Sequence, residues 1–195
     1  MKRAVELLSS TKRVLRVMGL KFEMKYNDND IVNTMAKQVV NLFYRSNKSE
    51  IVIVNIGTDK CIPDALGPLV GTLSKELGVA MYGDLTDPIH AVNLNTKIRT
   101  ILSNHPDAFI IGVDACLGES RKIGELHLRD RPIKPGAGVG KELQEVGDIS
   151  IVGIVDDIDY SDLFTTRVVR LDTIYKMSSV IKTIIEEIVN NITKE

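Results

Sequence analysis

Apolar positions follow two different periods along this chain, and together they predict an α/β fold. Apolar runs rich in Val and Ile predict buried strands at 51–56, 108–113 and 149–155, and weaker patterns predict strands at 79–82 and 124–128, the last at an edge. Helical spacing predicts helices over 31–43, 63–77, 91–102 and 171–192. Because strands alternate with helices, we expect a three-layer, mainly parallel sheet with helices on both faces.

The first twenty residues are expected to lie apart from a single α/β domain over 21–195. Val5, Leu8, Leu15 and Met18 recur at roughly helical spacing among basic residues, which predicts an amphipathic helix or arm. A docked or partner-binding arm is the favoured interpretation, and a membrane-surface helix is the alternative. The polar stretch 20–29, with its NDND turn signal, is expected to connect this arm to the domain.

Composition narrows the classes of function. The chain has 195 residues, 26% of them charged, with a formal net charge of −1, so nucleic acid is not expected as a partner. No apolar run approaches the roughly 20 residues that span a membrane, so no membrane partner is expected. Two cysteines cannot build a disulfide framework. We therefore expect a cytoplasmic protein.

Asp64 and Asp114 are the strongest candidates for chemistry. Asp64 follows the strand at 51–56 across a short loop, and Asp114 directly follows the strand at 108–113. If these strands are neighbours, both carboxylates meet at the carboxyl edge of the sheet, where ligands bind in such folds. One carboxyl group would then keep its proton, and the pair could perform acid–base catalysis. The structural alternatives are a helix N-terminus for Asp64 and a turn cap for Asp114.

A glycine-rich segment is the second candidate. Gly136, Gly138 and Gly140 could present backbone N–H groups to a ligand, whereas the alternative is an ordinary flexible connection. The spacing fits neither a phosphate-binding Walker loop nor a dinucleotide fingerprint, so no cofactor is predicted. His90 is expected to face the rim of the same crevice. His127 and His105 have no diagnostic spacing.

Two further groups of residues have weaker claims to function. Cys61 and Cys116 flank the aspartates and could act as a nucleophile or redox pair, although buried packing is the favoured interpretation. Asp156, Asp157 and Asp159 follow the strand at 149–155 and could hold a hard cation. A solvated strand end is favoured for them, and no metal is predicted.

Three segments resemble the germination protease family, which degrades small acid-soluble spore proteins. They are IGTDKCIPDALGP at 56–68, IIGVDACLGESRKIGELHLRD at 110–130 and PIKPGAGVGKELQEVG at 132–147. The shorter chain and the segments GTLSKEL and HAVNL are more similar still to the YyaC family of sporulation proteins, relatives of that protease. The resemblance covers roughly residues 50–157.

The resemblance implies a phosphorylase/hydrolase-like α/β fold, which the hydrogenase maturation endopeptidases share. It also implies that the protein is a peptidase-like hydrolase that works in sporulating cells or in the forespore. By motif position, Asp64 and Asp114 would be its catalytic pair and a peptide or small spore protein its substrate. Thr58 and Asp59 replace the family's Asn.

The expected substrate-binding residues are Thr58, Asp59, His90, Gly136, Gly138 and Gly140. Two rival hypotheses for the function are a non-catalytic binding protein and a metal-dependent endopeptidase. The sequence also allows the protein to form a homo-oligomer.

Overall fold

A computed structural model describes residues 21–135, 143–157 and 169–193 of the chain. The predicted amphipathic arm at 1–20, the glycine-rich residues Gly136, Gly138 and Gly140, and Asp159 lie outside the described residues. The predictions made for them therefore stay predictions.

A six-stranded sheet forms the centre of the molecule, in the order β1-β5-β6-β4-β2-β3. Its strands are β1 (Lys21–Lys25), β2 (Glu50–Asn55), β3 (Ala80–Tyr82), β4 (Ala108–Gly118), β5 (Glu125–Arg129) and β6 (Ile149–Asp157). The four strands β6, β4, β2 and β3 run parallel, and β5 and β1 add an antiparallel pair at one side. The predicted α/β class with a mainly parallel sheet is confirmed.

Helices cover both faces of this sheet. They are α1 (Ile31–Ser46), α2 (Leu66–Leu73), which a short 3-10 turn at Pro63–Ala65 precedes, α3 (Leu94–Asn104) and α4 (Leu171–Thr193). Side chains of α1, α2 and α4 pack on one face, and those of α3 pack on the other. Among the described residues, no helix is both long and apolar enough to cross a membrane.

Strand β1 was not predicted, and its presence changes the position of β5. Phe22 and Met24 pack against the core, while the alternate positions are charged, so the segment looks polar when it is taken as a whole. Because β1 pairs with β5, the strand predicted at 124–128 is an inner strand, and its prediction as an edge strand was wrong. The helix predicted over 63–77 also ends earlier, at Leu73.

Strands β4 and β6 extend beyond their predicted ends. Val113 is the last residue of β4 that pairs with β2, and from Asp114 onward β4 pairs only with β6. Asp114 therefore lies inside β4 rather than after it, at the point where the neighbouring strand β2 ends. Asp156 and Asp157 likewise belong to β6, because the ladder with β4 continues to Gly118.

Candidate active site

Asp64 is held by a tight loop that joins β2 to α2. Gly57 begins the loop with φ near 139°, and a Cβ atom at this position would lie 2.0 Å from the backbone oxygen of Asp64. The N–H of Thr58 donates to that same oxygen at 3.0 Å. Gly67 then allows α2 to approach the backbone of Ile56, where a Cβ atom would lie 2.1 Å from its oxygen. These close approaches require glycine and fix Asp64 at the carboxyl end of β2.

Asp114 lies on the neighbouring strand β4, and its charge is coupled to that of Asp64. Burial raises the pKa of Asp114 to about 8, and the nearby charge of Asp64 raises it as well. The N–H of Ala115, which donates to Oδ1 at 2.8 Å, and the positive charge of Arg129 act in the opposite direction. Asp114 therefore holds a proton at neutral pH.

Asp64 is partly buried, and burial raises its pKa above the ordinary value for an aspartate. A hydrogen bond from the backbone of Thr58 and an electrostatic interaction with His90 act to lower it. The two predicted catalytic residues therefore lie at the carboxyl ends of neighbouring strands, and the charge of Asp64 raises the pKa of Asp114.

His90, predicted to face the crevice rim, lies close enough to Asp64 to lower the pKa of its carboxyl group. Its ring Nδ1 accepts from the N–H of Val92 at 3.3 Å, and its backbone N–H donates to Asn93 Oδ1 at 2.9 Å. Ile89, the preceding residue, bridges to Ile56 beside β2. Thr58 contacts Asp64 through its backbone, whereas Asp59 is exposed in the same loop. Whether any of these residues binds a substrate stays a prediction.

A cavity of about 280 Å³ opens beside Asp114 on the sheet face that α3 only partly covers. The residues that line it come from β4, β5, β6 and the segment after β5. They are Asp114, Cys116, Arg129, Arg131, Pro132, Ile133, Lys134 and Val152. Three of these eight are cations, and Asp114 is the one acid among them. The cavity is large enough for a side chain or a short peptide end.

Arg129 is the main residue of this site that the sequence analysis did not identify. It ends β5, and its Nη2 lies 3.3 Å from His127 Nδ1 and 4.0 Å from Cys116 Sγ. Its Nε is buried without a hydrogen-bond partner among the described residues. The signal in the sequence is the alternation in Glu125–Arg129, where three polar residues share the face opposite two buried leucines.

Glu23, Glu125 and His127 form the one cluster of potential metal ligands found among the described residues. However, Lys21 and Lys122 already pair with Glu23, and Lys25 lies 3.6 Å from Glu125. The contact with Lys21 lowers the pKa of Glu23 to about 2, so this carboxylate is ionised and already paired with lysine side chains. The surrounding cations make this cluster an ion-pair network on the β1–β5 ribbon rather than a metal site.

The two cysteines occupy different environments and are both free. Cys61 is exposed, so the favoured prediction of buried packing was wrong for it, because its loop projects into solvent. Cys116 is partly buried beside the cavity, and burial raises the pKa of its thiol. This thiol stays protonated at neutral pH and is a weak nucleophile.

The acidic end of β6 is less solvated than the sequence suggested. Asp157 is only 8% exposed, and its carboxylate accepts a hydrogen bond from Ser120 Oγ. The prediction of a solvated strand end was therefore wrong for Asp157. Its neighbour Asp156 is partly exposed and accepts the backbone N–H of Asp157 at 2.8 Å.

A second cavity, of about 190 Å³, lies at the opposite end of the strands. His105, Asp148 and apolar side chains of α3 line it. The side chain of Asp148 accepts the backbone N–H of Ile110 at 2.8 Å, which gives it a structural role there. Because ligands of open α/β sheets bind at the carboxyl ends of strands, the crevice at Asp64 and Asp114 is the better candidate.

Comparison with known proteins places this site in a family without an assigned activity. The model of a family described as "Protein of unknown function (DUF1256)" matches residues 23–184. The chain is also 45% identical over 134 residues to "Uncharacterized protein YyaC" of Bacillus subtilis (strain 168). That match covers 67% of this chain and 65% of the relative's own length. Both aspartates lie within the residues that the family model matches.

Proposed function

Since the chain belongs to the DUF1256 family of proteins of unknown function, we propose a function from its site: a peptidase-like hydrolase that uses Asp64 and Asp114. The observation that carries this proposal is the coupling of two carboxyl groups at the carboxyl edge of neighbouring parallel strands. One of them, Asp114, holds a proton at neutral pH. A paired acid and base of this kind suits the addition of water to a carbonyl group.

The proposed reaction assigns different roles to the two carboxyl groups. Asp64 accepts a proton from water while the water oxygen bonds to the peptide carbonyl carbon. Asp114 gives its proton to the carbonyl oxygen, which yields a neutral tetrahedral diol. The proton on Asp64 then passes to the amide nitrogen, Asp114 recovers a proton from a hydroxyl group, and the C–N bond breaks. The products are a carboxylic acid and an amine, and both aspartates return to their starting states.

These roles predict a bell-shaped dependence of the rate on pH. Asp64 must be ionised, so activity rises as the pH passes its pKa, which burial raises above the ordinary aspartate value. Asp114 must be protonated, so activity falls as the pH passes about 8. Because the groups interact, both limbs report the pair rather than either residue alone. A profile with no loss of activity above pH 8 would contradict the assignment of Asp114 as the acid.

The resemblance to the germination protease family supports a peptide or small spore protein as the substrate. It rests on the segments that contain Asp64, in the loop after β2, and Asp114, on the neighbouring strand β4. By the same resemblance, we propose that the protein works in the cytoplasm of the sporulating cell or in the forespore.

The proposal is tested by incubating wild type, Asp64→Asn and Asp114→Asn with a mixture of small acid-soluble spore proteins and following the peptides by mass spectrometry. We expect defined cleavage products from wild type and a rate loss of roughly 10²- to 10⁴-fold in each variant. Asp107→Asn is the matched control, because Asp107 is exposed and pairs with Lys48 away from the crevice. Equal cleavage by all four proteins would overturn the aspartate assignment.

One observation favours a non-catalytic binding protein as the second candidate. Asp114 accepts the N–H of Ala115, and a hydrogen bond from the backbone of Thr58 lowers the pKa of Asp64, so both carboxyl groups also have structural partners. A stable complex with a spore protein that wild type leaves uncut would favour this candidate. Among the described residues, no metal-ligand cluster includes either aspartate, so the metal-dependent endopeptidase receives no support from this structure.

A further inference from the structure

The cavity beside Asp114 carries more positive than negative charge. Arg129, Arg131 and Lys134 line it, and Asp114 is protonated at neutral pH. Lys134 is compensated by Glu145 at 2.9 Å. For Arg129 and Arg131, no carboxylate oxygen of any described residue lies within 4.0 Å. Two cations at one cavity without acid partners favour an anionic ligand there.

Of the three cations that line the cavity, Arg129 is the one whose charge lowers the pKa of Asp114. Its guanidinium contacts Cys116, which lies two residues after Asp114 on the same face of β4, and its charge acts directly on the pKa of Asp114. The side chain is partly buried, and its Nε has lost water without gaining a partner. Leaving a buried cationic donor unpaired is costly, so an acceptor atom that reaches this N–H, from a ligand or from a water molecule, would stabilise the protein.

A polar chain behind Arg129 holds the guanidinium in place. His127 is only 3% exposed, and burial lowers its pKa, so the ring is neutral at pH 7. Its Nε2 lies 2.9 Å from Glu125 Oε2, and its Nδ1 lies 3.3 Å from Arg129 Nη2. A ring that donates to Glu125 accepts from Arg129, which fixes both the tautomer and the direction of the arginine.

The walls of the cavity define the shape of the group that would reach Arg129. Val152 and Ile133 are almost fully buried and give the cavity apolar sides. A ligand that fits has a short apolar stem and an anionic end. In a peptide, a carboxylate has this form, either at the C-terminus or on an acidic side chain. A planar carboxylate also matches the paired N–H groups of a guanidinium.

We propose that Arg129, oriented by His127 and Glu125, is the anion-binding residue of this cavity and binds a carboxylate of the ligand next to Asp114. This inference rests on the proposed function in one respect: both assume that the ligand binds beside Asp114. It does not require that the ligand is hydrolysed. It makes Arg129 the residue that selects among ligands at this site.

Binding is measured with the full chain by NMR titration, following the side-chain Nε–H signals of arginine and the backbone signals of β4 and β5. The probes are acetyl-dialanine with a free C-terminus, acetyl-glutamate methylamide, and their uncharged partners acetyl-dialanine amide and acetyl-glutamine methylamide. We expect at least one carboxylate probe to bind at least tenfold more tightly than its amide. The tighter of the two carboxylate probes identifies the source of the anion.

Three variants separate the charge of Arg129 from its structural role. Arg129→Gln should weaken carboxylate binding at least tenfold, and Arg129→Lys should retain part of it. Arg99→Gln, a substitution on the exposed face of α3, should bind as wild type does. If Arg129→Gln fails to fold, Arg129→Lys still decides the matter, because it must keep a preference for carboxylate over amide. Equal binding of carboxylate and amide by wild type would overturn the proposal, as would undiminished carboxylate binding by Arg129→Gln.

The outcome is separable from that of the cleavage assay. Carboxylate binding that depends on Arg129, without cleavage of any spore protein, would support this site while contradicting the hydrolase. Cleavage that depends on Asp64 and Asp114 but is unaffected by Arg129→Gln would support the hydrolase and overturn this site.

Discussion

Asp114 is a carboxyl group that the fold keeps protonated well above the pH at which a free aspartate ionises. Burial is the largest cause, and Asp64 adds to it. A carboxyl group that serves only as a cap is stabilised by the fold in its ionised form, as that of Asp84 is. There, hydrogen bonds from Thr86 and Asp87 and the ion pair with Lys75 outweigh burial and lower the pKa. The opposite shift at Asp114 is typical of a functional site.

We predict that Asp114→Asn stabilises the protein at neutral pH. Between the pKa of the unfolded chain, near 3.8, and about 8, the folded state binds a proton that the unfolded state has released. Rising pH therefore lowers the free energy of unfolding across this window. One pKa unit corresponds to about 1.4 kcal/mol, so after allowance for solvent contact we expect a gain on the order of 2 kcal/mol at pH 7. Urea unfolding between pH 4 and pH 9 measures it.

The matched variant is Asp84→Asn, for which the sign is reversed. The pKa of Asp84 is lowered in the fold, so its stabilising effect is present above the unfolded pKa, and the variant should be less stable at pH 7. If Asp114→Asn lost stability at pH 7 as Asp84→Asn does, Asp114 would be an ionised structural residue. The proposed acid would then be wrong.

At the scale of elements, the close packing of α2 on the end of β2 sets the position of Asp64. We predict that Gly67→Ala costs on the order of 1 to 3 kcal/mol of unfolding free energy, because the new methyl group meets the backbone oxygen of Ile56. Thermal unfolding measures the loss, and cleavage activity should fall with it. Gly78→Ala is the control: Gly78 has φ near 72° but open space around it, so only about 1 kcal/mol of backbone strain is expected. Equal stability of Gly67→Ala and wild type would contradict this packing.

A buried hydrogen bond joins α4 to the start of α2. Ser178 Oγ donates to the backbone oxygen of Leu66 at 3.1 Å, just beyond Asp64. We predict that Ser178→Ala lowers the free energy of unfolding by about 1 kcal/mol. Ser179→Ala should have almost no effect, because its hydroxyl bonds to Tyr175 within its own helix. Indistinguishable urea midpoints for the two variants would show that the link to α4 does not stabilise the site.

The sequence predicted those helices and strands in which the pattern of apolar residues continues over the whole element. Helices α1 and α4 and the central strands β2, β4 and β6 have long periodic or apolar patterns, so their existence was predictable. Strand β1 was not, because three of its five residues are charged and its apolar face is only two residues wide. The true end of β4 was also hidden: pairing with β6 carries the strand through Asp114, and a polar residue in a strand gives no local signal.

In the whole molecule, sheet topology explains why two aspartates that are far apart in the sequence influence each other electrostatically. The sequence predicted both residues at strand ends, and the neighbouring positions of β2 and β4 bring them together. The cavity could not be predicted in the same way. It needs the antiparallel strand β5 beside β6, which places Arg129 and His127 on the same face as Asp114. Such pairing depends on contacts between segments far apart in the chain.

Carboxyl ¹³C NMR titration of Asp114 measures whether Asp64 and Asp114 form one coupled pair. In wild type we predict an apparent pKa of about 8. In Asp64→Asn the pKa should fall, because the neighbouring negative charge is gone, yet stay above the ordinary aspartate value because burial remains. A wild-type pKa near 4, or a value unchanged by Asp64→Asn, would contradict the pair and the hydrolase built on it.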